Sequence, residues 1–438
     1  MNNITKWSLT AALAGFLFGF DTVVISGADQ KLQELWNSTD IFHGSVVMAM
    51  ALWGTVVGAL FGGIPTKKIG RKRTLLWIGI FYTLSAVGSA LANDPLTFAA
   101  FRFLGGIGVG ISGIAAPAYI SEIAPAKNRG RLVGLYQFNL VSGILVAFLS
   151  NYLLTGIGDN DWRYMMGVEA IPAIFYTVLV LSIPKSPRWL YINGQKKEAQ
   201  DIIMSAYTQG DAKELINEIQ KDSETSLKSE SIFQSKYSFI LMLAFLVAAF
   251  NQFSGINAFL YYAPRIFEAG GFGQSAALLN SVGIGLTNVI FTYIGISLID
   301  KLGRRILLYI GSIGYIISLT LISLSFILQW DGFLLPVFLF LFIASHAIGQ
   351  GAIIWVYISE IFPNNIRSYG QSFGISTHWV LAAIIPSLIP YLFGSIGPGI
   401  VFGFFAFMMV LQLIFTHFIM PETKGVSLED LSKKLIKN

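Results

Sequence analysis

Long apolar runs separated by short polar turns dominate the chain. Each run has about the 20 mainly apolar residues that an α-helix needs to cross a bilayer. The pattern predicts an all-α membrane protein with twelve transmembrane helices. We number these predicted spans 1 to 12, and they cover residues 8–28, 43–65, 74–92, 97–120, 132–155, 163–183, 237–263, 275–299, 306–327, 334–358, 368–393 and 397–419.

The apolar pattern is interrupted between predicted spans 6 and 7. Residues 184–236 are rich in Lys, Glu, Asp, Gln and Ser, with helix-forming patches at 195–207 and 211–221. This composition favours a cytoplasmic linker with short amphipathic helices, and a regulatory docking segment is the alternative. We therefore expect an N-terminal six-helix bundle (1–183), the linker (184–236), a C-terminal six-helix bundle (237–420) and a cytoplasmic tail (421–438).

Short motifs recur in the two halves at matching offsets. The matching sets are Glu122, Pro125 and Arg129 with Glu360, Pro363 and Arg367; Gly70-Arg71-Lys72-Arg73 with Gly303-Arg304-Arg305; and Pro184 with Pro421. The repetition predicts two pseudo-symmetric bundles. A site at the interface of such repeats is typical of secondary transporters.

Composition and charge narrow the class. The 438 residues are 54% hydrophobic and 12% charged, which excludes a soluble domain of this length. The absence of cysteine excludes disulfides and thiolate metal sites. Basic residues lie in alternate short loops, where they set topology rather than bind nucleic acid, so we expect both termini on the cytoplasmic side of the inner membrane. The first residues lack a cleavable signal pattern, and we expect the first span to be retained.

Three ionisable residues fall inside predicted spans, where a charge is costly and usually functional. They are Asp21 in span 1, Arg102 in span 4 and Glu169 in span 6. An Asp21–Arg102 ion pair that separates would let Asp21 bind a proton, with Glu169 then taking over Arg102. This predicts a proton-coupling site, and a permanent structural ion pair is the alternative.

Predicted span 7 contains a polar break. Asn251, Gln252 and Asn257 surround Ser254 and Gly255 within an otherwise apolar run. Unpaired amides are costly in hydrocarbon and are tolerated where they line a wet cavity. The break therefore predicts a binding site near the middle of the membrane.

Charged residues at the helix ends predict gates. Glu122 and Glu360 need cationic partners, which the basic turns can supply, and such pairs can break and reform as the halves rock. The alternative is that these charges only fix topology. The expected gating residues are Arg71, Glu122, Arg129, Asp300, Arg304, Glu360 and Arg367.

The motifs together resemble those of the sugar porters of the major facilitator superfamily along nearly the whole chain. The resemblance rests on the following motifs: Gly70-Arg71-Lys72-Arg73, Arg102 with Gly105-Gly106, Ser121-Glu122 with Pro125 and Arg129, Pro184 to Leu190, Gln252 to Asn257 with Tyr261-Tyr262, Asp300 with Gly303-Arg304-Arg305, Glu360 with Pro363 and Arg367, and Pro421 to Gly425.

The resemblance implies alternating access and a monosaccharide held mostly by the C-terminal half. Amides can pair with sugar hydroxyls, and the indole of Trp355 suits a C–H face. Asp21 matches the aspartate of bacterial proton-coupled members, which favours symport. The implied sugar-site residues are Gln137, Asn251, Gln252, Asn257, Asn288 and Trp355, and His346 and His378 resemble histidines of a fructose-selective animal facilitator.

Several positions depart from the family pattern. Thr66 stands where the loop motif usually has aspartate, Lys185 replaces a common glutamate, and Ile144 follows Gly143 where the bacterial xylose symporter has a glutamine. Span 10 lacks the two prolines that usually precede its tryptophan. The two histidines are alternatively helix-packing residues, so fructose, glucose, galactose, xylose and myo-inositol all remain open.

The sequence thus predicts a monosaccharide–proton symporter. We expect a monomer in the lipid bilayer that binds neither nucleic acid nor a cofactor or metal. No nucleophile–base grouping or metal-ligand spacing indicates an enzyme, and a channel would not need breakable ion pairs. A proton-independent uniporter and a sugar sensor with a transporter fold remain alternatives, and the short tail after Pro421 favours transport.

Overall fold

A computed structural model describes residues 3–125, 128–207, 231–330, 332–363 and 365–426, with the single positions 212, 215, 216, 219, 431, 435 and 436. Among these residues, eleven helical stretches and one bent pair are long and apolar enough to cross a membrane. In order, these spans 1 to 12 are Asn3–Gly27, Asp40–Met48 with Met50–Phe61, Arg71–Leu91, Pro95–Ile123, Arg129–Leu154, Asp161–Ser182, Ser235–Tyr261, Gln274–Leu302, Arg304–Ile327, Gly332–Ile361, Arg367–Ser395 and Pro398–Phe418.

The predicted all-α membrane fold is confirmed, and the predicted spans match the observed ones closely. The largest difference is at the start of span 1, predicted at residue 8 and observed at Asn3. Several spans are built from more than one helix. The pieces are Asn3–Val24 and Ile25–Gly27 in span 1; Asp40–Phe42, His43–Met48 and Met50–Phe61 in span 2; Asp161–Gly167 and Ala170–Ser182 in span 6; Ser235–Tyr237, Ser238–Phe253 and Ile256–Tyr261 in span 7; and Gly332–Leu334, Leu335–Ile348 and Gln350–Ile361 in span 10.

Short helices connect the spans. They are Asp29–Leu35, Gly63–Lys68, Pro187–Ile192, Lys196–Ala206 and Ala263–Ala269. The helix Lys196–Ala206 agrees with the predicted patch at 195–207, whereas most of the patch at 211–221 lies outside the described residues. Leu190, Ala199 and Ile203 form a small apolar core in the linker.

Glycines let neighbouring spans approach closely. A Cβ at Gly19 in span 1 would lie 1.9 Å from the carbonyl oxygen of Leu140, and one at Gly143 in span 5 would lie 2.0 Å from that of Phe16. Small residues bring backbones into contact in membrane bundles, where dispersion rather than water exclusion holds helices together. Spans 1 and 5 are therefore packed backbone to backbone.

Among the described residues, the two halves meet mainly where span 1 packs on span 7, span 2 on span 11 and span 5 on span 8. A Cβ at Gly44 would lie 2.2 Å from the carbonyl oxygen of Ser387, and one at Gly285 would lie 2.8 Å from the Cα of Leu145. One apolar core includes residues of both halves, such as Phe20 and Phe259. We call the end that carries the turns 70–73 and 303–305 the basic-turn end, and the other, where span 1 leads into Asp29, the Asp29 end.

Candidate functional site

Span 7 is broken where the sequence predicts the polar break. Helix Ser238–Phe253 stops before Ser254, and Ile256–Tyr261 begins after Gly255, which has a left-handed φ of +83°. The Ser254 hydroxyl donates to the Asn251 carbonyl oxygen at 2.6 Å. A Cβ at Gly255 would lie 2.5 Å from the Phe405 ring, so both the φ angle and the available space favour glycine.

The amides at this break form a chain centred on Gln252. Its Nε2 donates to Asn251 Oδ1 at 3.0 Å, and its Oε1 accepts from Asn257 Nδ2 at 2.9 Å. Gln252 Nε2 also lies 3.2 Å from Nε2 of His378 on span 11. Each amide has more donors and acceptors than these contacts use, so the chain can pair with further hydroxyl groups.

Aromatic rings border the amides. The Trp355 ring lies 4.8 Å from that of His378, which lies 4.9 Å from Trp379. Trp379 in turn lies 5.6 Å from Phe18 of span 1, across the two halves. Trp355 is 37% exposed although it lies within a span, so its indole faces open space beside the amides.

The other residues predicted for the sugar site have no described hydrogen bond to the amide chain. His346 Nδ1 bonds the hydroxyl of Tyr315, a buried residue that sequence reasoning missed. Asn288 on span 8 accepts from Thr292 at 3.3 Å, and Gln137 on span 5 is partly buried. The described hydrogen bonds connect neither Gln137 nor Asn288 to the amides.

Span 10 is hinged without the prolines that the family pattern expects. Its helices Leu335–Ile348 and Gln350–Ile361 meet at Gly349, with φ −85° and ψ −105°. Gln350 Nε2 donates to Gln412 Oε1 of span 12 at 2.8 Å, which fixes the start of the second helix. Gly349 therefore provides the break in span 10.

The three ionisable residues predicted inside the spans lie together, completely buried. Arg102 donates to Asp21 Oδ1 at 2.6 Å and to the Asp21 carbonyl oxygen at 2.8 Å. Glu169 is buried near Asp21 and Arg102, and neither of its carboxyl oxygens accepts from a described N–H or hydroxyl donor. The cluster thus holds two carboxyl groups and one guanidinium.

Arg71 and Glu122 are paired at the basic-turn end of the first half. The guanidinium nitrogen of Arg71 lies 2.7 Å from Glu122 Oε1, and its Nη1 donates to the Thr66 carbonyl oxygen at 3.1 Å. The Ser186 hydroxyl donates to the other oxygen of Glu122. Arg129 begins span 5 at the same end.

The second half repeats this arrangement. Arg304 donates to Glu360 at 2.7 Å, and the Thr423 hydroxyl donates to the same carboxylate at 2.6 Å. Asp300 lies 3.2 Å from Arg304 but is 83% exposed, so it adds little to the pair. Arg367 begins span 11 and donates to the Phe362 carbonyl oxygen at 3.2 Å.

The repeat corrects our alignment of the loop motif. Arg304 donates to the carbonyl oxygen of Ile299, five residues before it, as Arg71 does to Thr66. Thr66 therefore matches Ile299, and the residue that matches Asp300 is Lys67. The assignment of Thr66 to the aspartate position was wrong by one residue, and the sequence offsets agree with the correction: Asp300 lies three residues before Gly303, and Lys67 lies three residues before Gly70.

A cluster at the Asp29 end was missing from the sequence analysis. Asp29 bonds Arg265 at 2.7 Å and His43 Nε2 at 2.7 Å. Arg265 also donates to Gln33 at 2.5 Å. Asp29 and His43 are almost inaccessible, although Asp29, Gln33 and Arg265 belong to short connecting helices and His43 lies near the start of span 2. This Asp29 cluster, formed by Asp29, Gln33, His43 and Arg265, ties the first half to the second.

The chain is similar to known transporters over nearly its full length. It is 35% identical to the arabinose-proton symporter of Bacillus subtilis, covering 98% of this chain and 94% of the relative. An inward-open structure of the Escherichia coli xylose transporter matches with a TM-score of 0.88 and 30% identity, covering 99% of this chain and 100% of that one. A major facilitator superfamily proton:xylose symporter bound to 6-bromo-6-deoxy-D-glucose matches with a TM-score of 0.80 and 30% identity, covering 99% of each chain.

The family model described as "Sugar (and other) transporter" matches residues 7–435. Its match includes the broken span 7, the buried ion pair and both basic turns. The chain therefore belongs to the sugar transporter family, has the major facilitator fold, and is a transporter rather than an enzyme.

Proposed function

We propose that the protein imports a monosaccharide together with a proton across the cytoplasmic membrane by alternating access. The observation that carries the proposal is the buried cluster of Asp21, Arg102 and Glu169, in a chain whose span 7 is broken and lined with amides. Relatives that are named as sugar–proton symporters support the same proposal.

The coupling step follows from charge balance. Two buried carboxylates beside one guanidinium would leave an uncompensated negative charge, which costs several kcal/mol in a low-dielectric site. One bound proton, shared between Asp21 and Glu169, removes this excess. When Arg102 separates from Asp21, Asp21 becomes the preferred proton site, and Glu169 then pairs with Arg102. Proton binding and release are thereby linked to the arrangement of spans 1, 4 and 6.

The sugar would bind at the break in span 7. Asn251, Gln252 and Asn257 offer donors and acceptors to adjacent hydroxyls, and Trp355 covers an apolar face of the ring. His378 would add a hydrogen bond from span 11. Gln137 and Asn288 would approach the sugar from spans 5 and 8, and His346 would act through Tyr315.

The gates would open alternately. The Asp29 cluster closes one end here, and the TM-score of 0.88 with the inward-open relative supports an inward-facing conformation. Closure of the basic-turn end would bring the Glu122 and Glu360 groups of the two halves together, with Arg129, Arg367 and Asp300 at their edges. Rocking of the bundles about the sugar would connect the two states.

The membrane arrangement is part of the proposal. The Lys and Arg content of the basic turns supports a cytoplasmic location for that end and for both termini. Residues 1–183 and 237–420 would form the two rocking bundles, 184–236 the linker and 421–438 the tail. We propose that a monomer embedded in the bilayer suffices, because each half contributes one side of the site.

Uptake by proteoliposomes tests this function. Labelled hexoses, pentoses and myo-inositol are offered with and without an inward proton gradient. We expect one or a few sugars to accumulate above equilibrium only with the gradient. Equal uptake with no gradient dependence would make the protein a uniporter, and no uptake of any sugar would revive the sensor alternative.

A further inference from the structure

The carboxylate of Glu422 lies at the start of span 9. Gly303 precedes the helix with a φ of +94°, and the carboxylate of Glu422 lies against it. Glu422 accepts the backbone N–H groups of Arg304 at 3.1 Å and of Arg305 at 2.9 Å. Burial alone would raise the pKa of Glu422, but these donors and those of Thr423 and Lys424 outweigh it and lower the pKa. The first N–H groups of a helix have no acceptor within it, so the carboxylate satisfies two of them.

The matching turn in the first half has the same backbone but the opposite charge. Gly70 precedes span 3 with a φ of +86°. Ser186 and Thr423 donate to the matching carboxylates Glu122 and Glu360, which fixes the register between the two segments. Lys185, one residue before Ser186, therefore stands in the position of Glu422.

A cavity of about 120 Å³ lies at this turn. Four of its lining residues are cationic, and the lining consists of Ile69, Gly70, Arg71, Lys72, Arg73, Lys185, Ser186, Trp189 and Gln195. Among the described residues, no carboxylate takes the place at this helix N-terminus that Glu422 takes in the second half.

Protein groups neutralise these cations only in part. Arg71 is paired with Glu122 at 2.7 Å, and Lys185 lies 3.1 Å from the partly exposed Glu198. Lys72 Nζ donates to the Leu181 carbonyl oxygen at 2.9 Å, which leaves two of its N–H groups. None of these contacts places an acceptor on the first N–H groups of span 3.

We propose that this cavity binds a phosphate group, which accepts the N–H groups that match those bonded by Glu422 in the second half and lies beside the Trp189 ring that covers Gly70. Its oxygens would accept the free N–H groups at the start of span 3, and Lys72, Arg73 and Lys185 would balance its charge. The bound group would join the turn at Gly70 to the segment around Ser186, as Glu422 joins Gly303 to Thr423.

Two sources can supply this chemistry: a soluble phosphate and the headgroup of an anionic phospholipid. Basic pockets at the ends of membrane helices bind such headgroups. The proposal does not depend on sugar or proton transport, because the site lies at the start of span 3, at the basic-turn end, and the binding is measured without sugar. A failure of symport would therefore leave it intact.

Thermal unfolding of the purified protein tests the site. The parent chain, Lys185→Glu and Lys197→Glu are each titrated with inorganic phosphate against chloride at matched ionic strength. They are then compared in phosphatidylglycerol and phosphatidylcholine. Lys185→Glu supplies the missing carboxylate, whereas Lys197→Glu makes the same change of charge at an exposed position of the neighbouring helix. Arg73→Gln is a milder second variant.

We expect phosphate or phosphatidylglycerol to raise the Tm of the parent and of Lys197→Glu. The apparent affinity should fall at least tenfold in Lys185→Glu and several-fold in Arg73→Gln. A response to both ligands identifies a general phosphate site, and a response to phosphatidylglycerol alone identifies the lipid headgroup. The proposal is overturned if neither ligand raises the Tm of the parent, or if Lys185→Glu and Arg73→Gln both respond as the parent does.

Discussion

Replacing Arg265 with glutamine tests the Asp29 cluster as a gate. In the closed state Asp29 is 2% exposed and Arg265 13% exposed, so the variant leaves a buried carboxylate with His43 as its remaining partner. Removing one member of a buried ion pair costs about 3–5 kcal/mol. Asp29 keeps its contact with His43 in the variant, so we take about 3 kcal/mol, the lower end of that range. Once the two halves separate, water solvates Asp29 and the penalty disappears.

The variant should therefore shift the equilibrium by about two orders of magnitude toward the state that is open at the Asp29 end. The chain has no native cysteine, so spin labels can be placed on cysteines introduced at the exposed residues Leu35 and Gln274. Electron–electron double resonance then measures the distance between the halves at this end. We expect the longer distance to dominate in Arg265→Gln.

Two controls separate the gate from a general loss of charge. Lys31→Gln removes an exposed cation from the helix that carries Asp29 and should keep the parent distance distribution. Asp29→Asn combined with Arg265→Gln leaves no unpaired buried charge and should recover part of the closed population. An Arg265→Gln distribution identical to that of the parent would refute the reasoning, because the ion pair would then not bias the equilibrium.

Three further substitutions test separate parts of the account. Gln252→Ala removes the partner of Asn257 and His378 and should raise the KM for the sugar about 5- to 150-fold. The control Asn280→Ala removes an exposed amide bonded to its own helix and should leave the KM unchanged. A KM of Gln252→Ala equal to that of the parent would remove Gln252 from the site. Gly255→Ala should lower the Tm more than Gly271→Ala, because both have positive φ but only Gly255 has a ring in the way, and a reversed order would contradict the packing argument. Glu422→Gln should lower the Tm near pH 7. Because the pKa of Glu422 is lowered below its usual 4.5, the Tm difference between parent and variant should shrink as the pH falls through that lowered value. A Tm difference that does not change with pH would show that the charge of Glu422 is not involved.

Much of the fold could be predicted because its determinants are local. A span is a run of apolar residues, and the break in span 7 is announced by Gly255 and the amides beside it. The partners of Asp21 and Glu122 were also predictable, since a carboxylate buried in a span needs a cation and few are available. Their roles in coupling and gating stay predictions.

The missed features depend on contacts between distant segments. Asp29 and Arg265 are 236 positions apart and look like ordinary loop charges until the fold buries them. Ser186 and Thr423 give no signal beyond their place after Pro184 and Pro421, although each bonds the carboxylate of a gating pair. Lys185 departs from the family pattern in the sequence alone. Only the structure shows that the matching residue, Glu422, accepts two backbone N–H groups at the start of a span.

Sugar-driven proton movement is the most direct test of coupling through Asp21. Proteoliposomes that contain a pH-sensitive dye receive the transported sugar with no imposed proton gradient. We expect the lumen to acidify as sugar enters in the parent, and Asp21→Asn to exchange sugar without any change of pH. Asp94→Asn, which alters an exposed helix cap, serves as the control and should acidify as the parent does. Sugar entry without acidification in the parent, or acidification that persists in Asp21→Asn, would contradict the account.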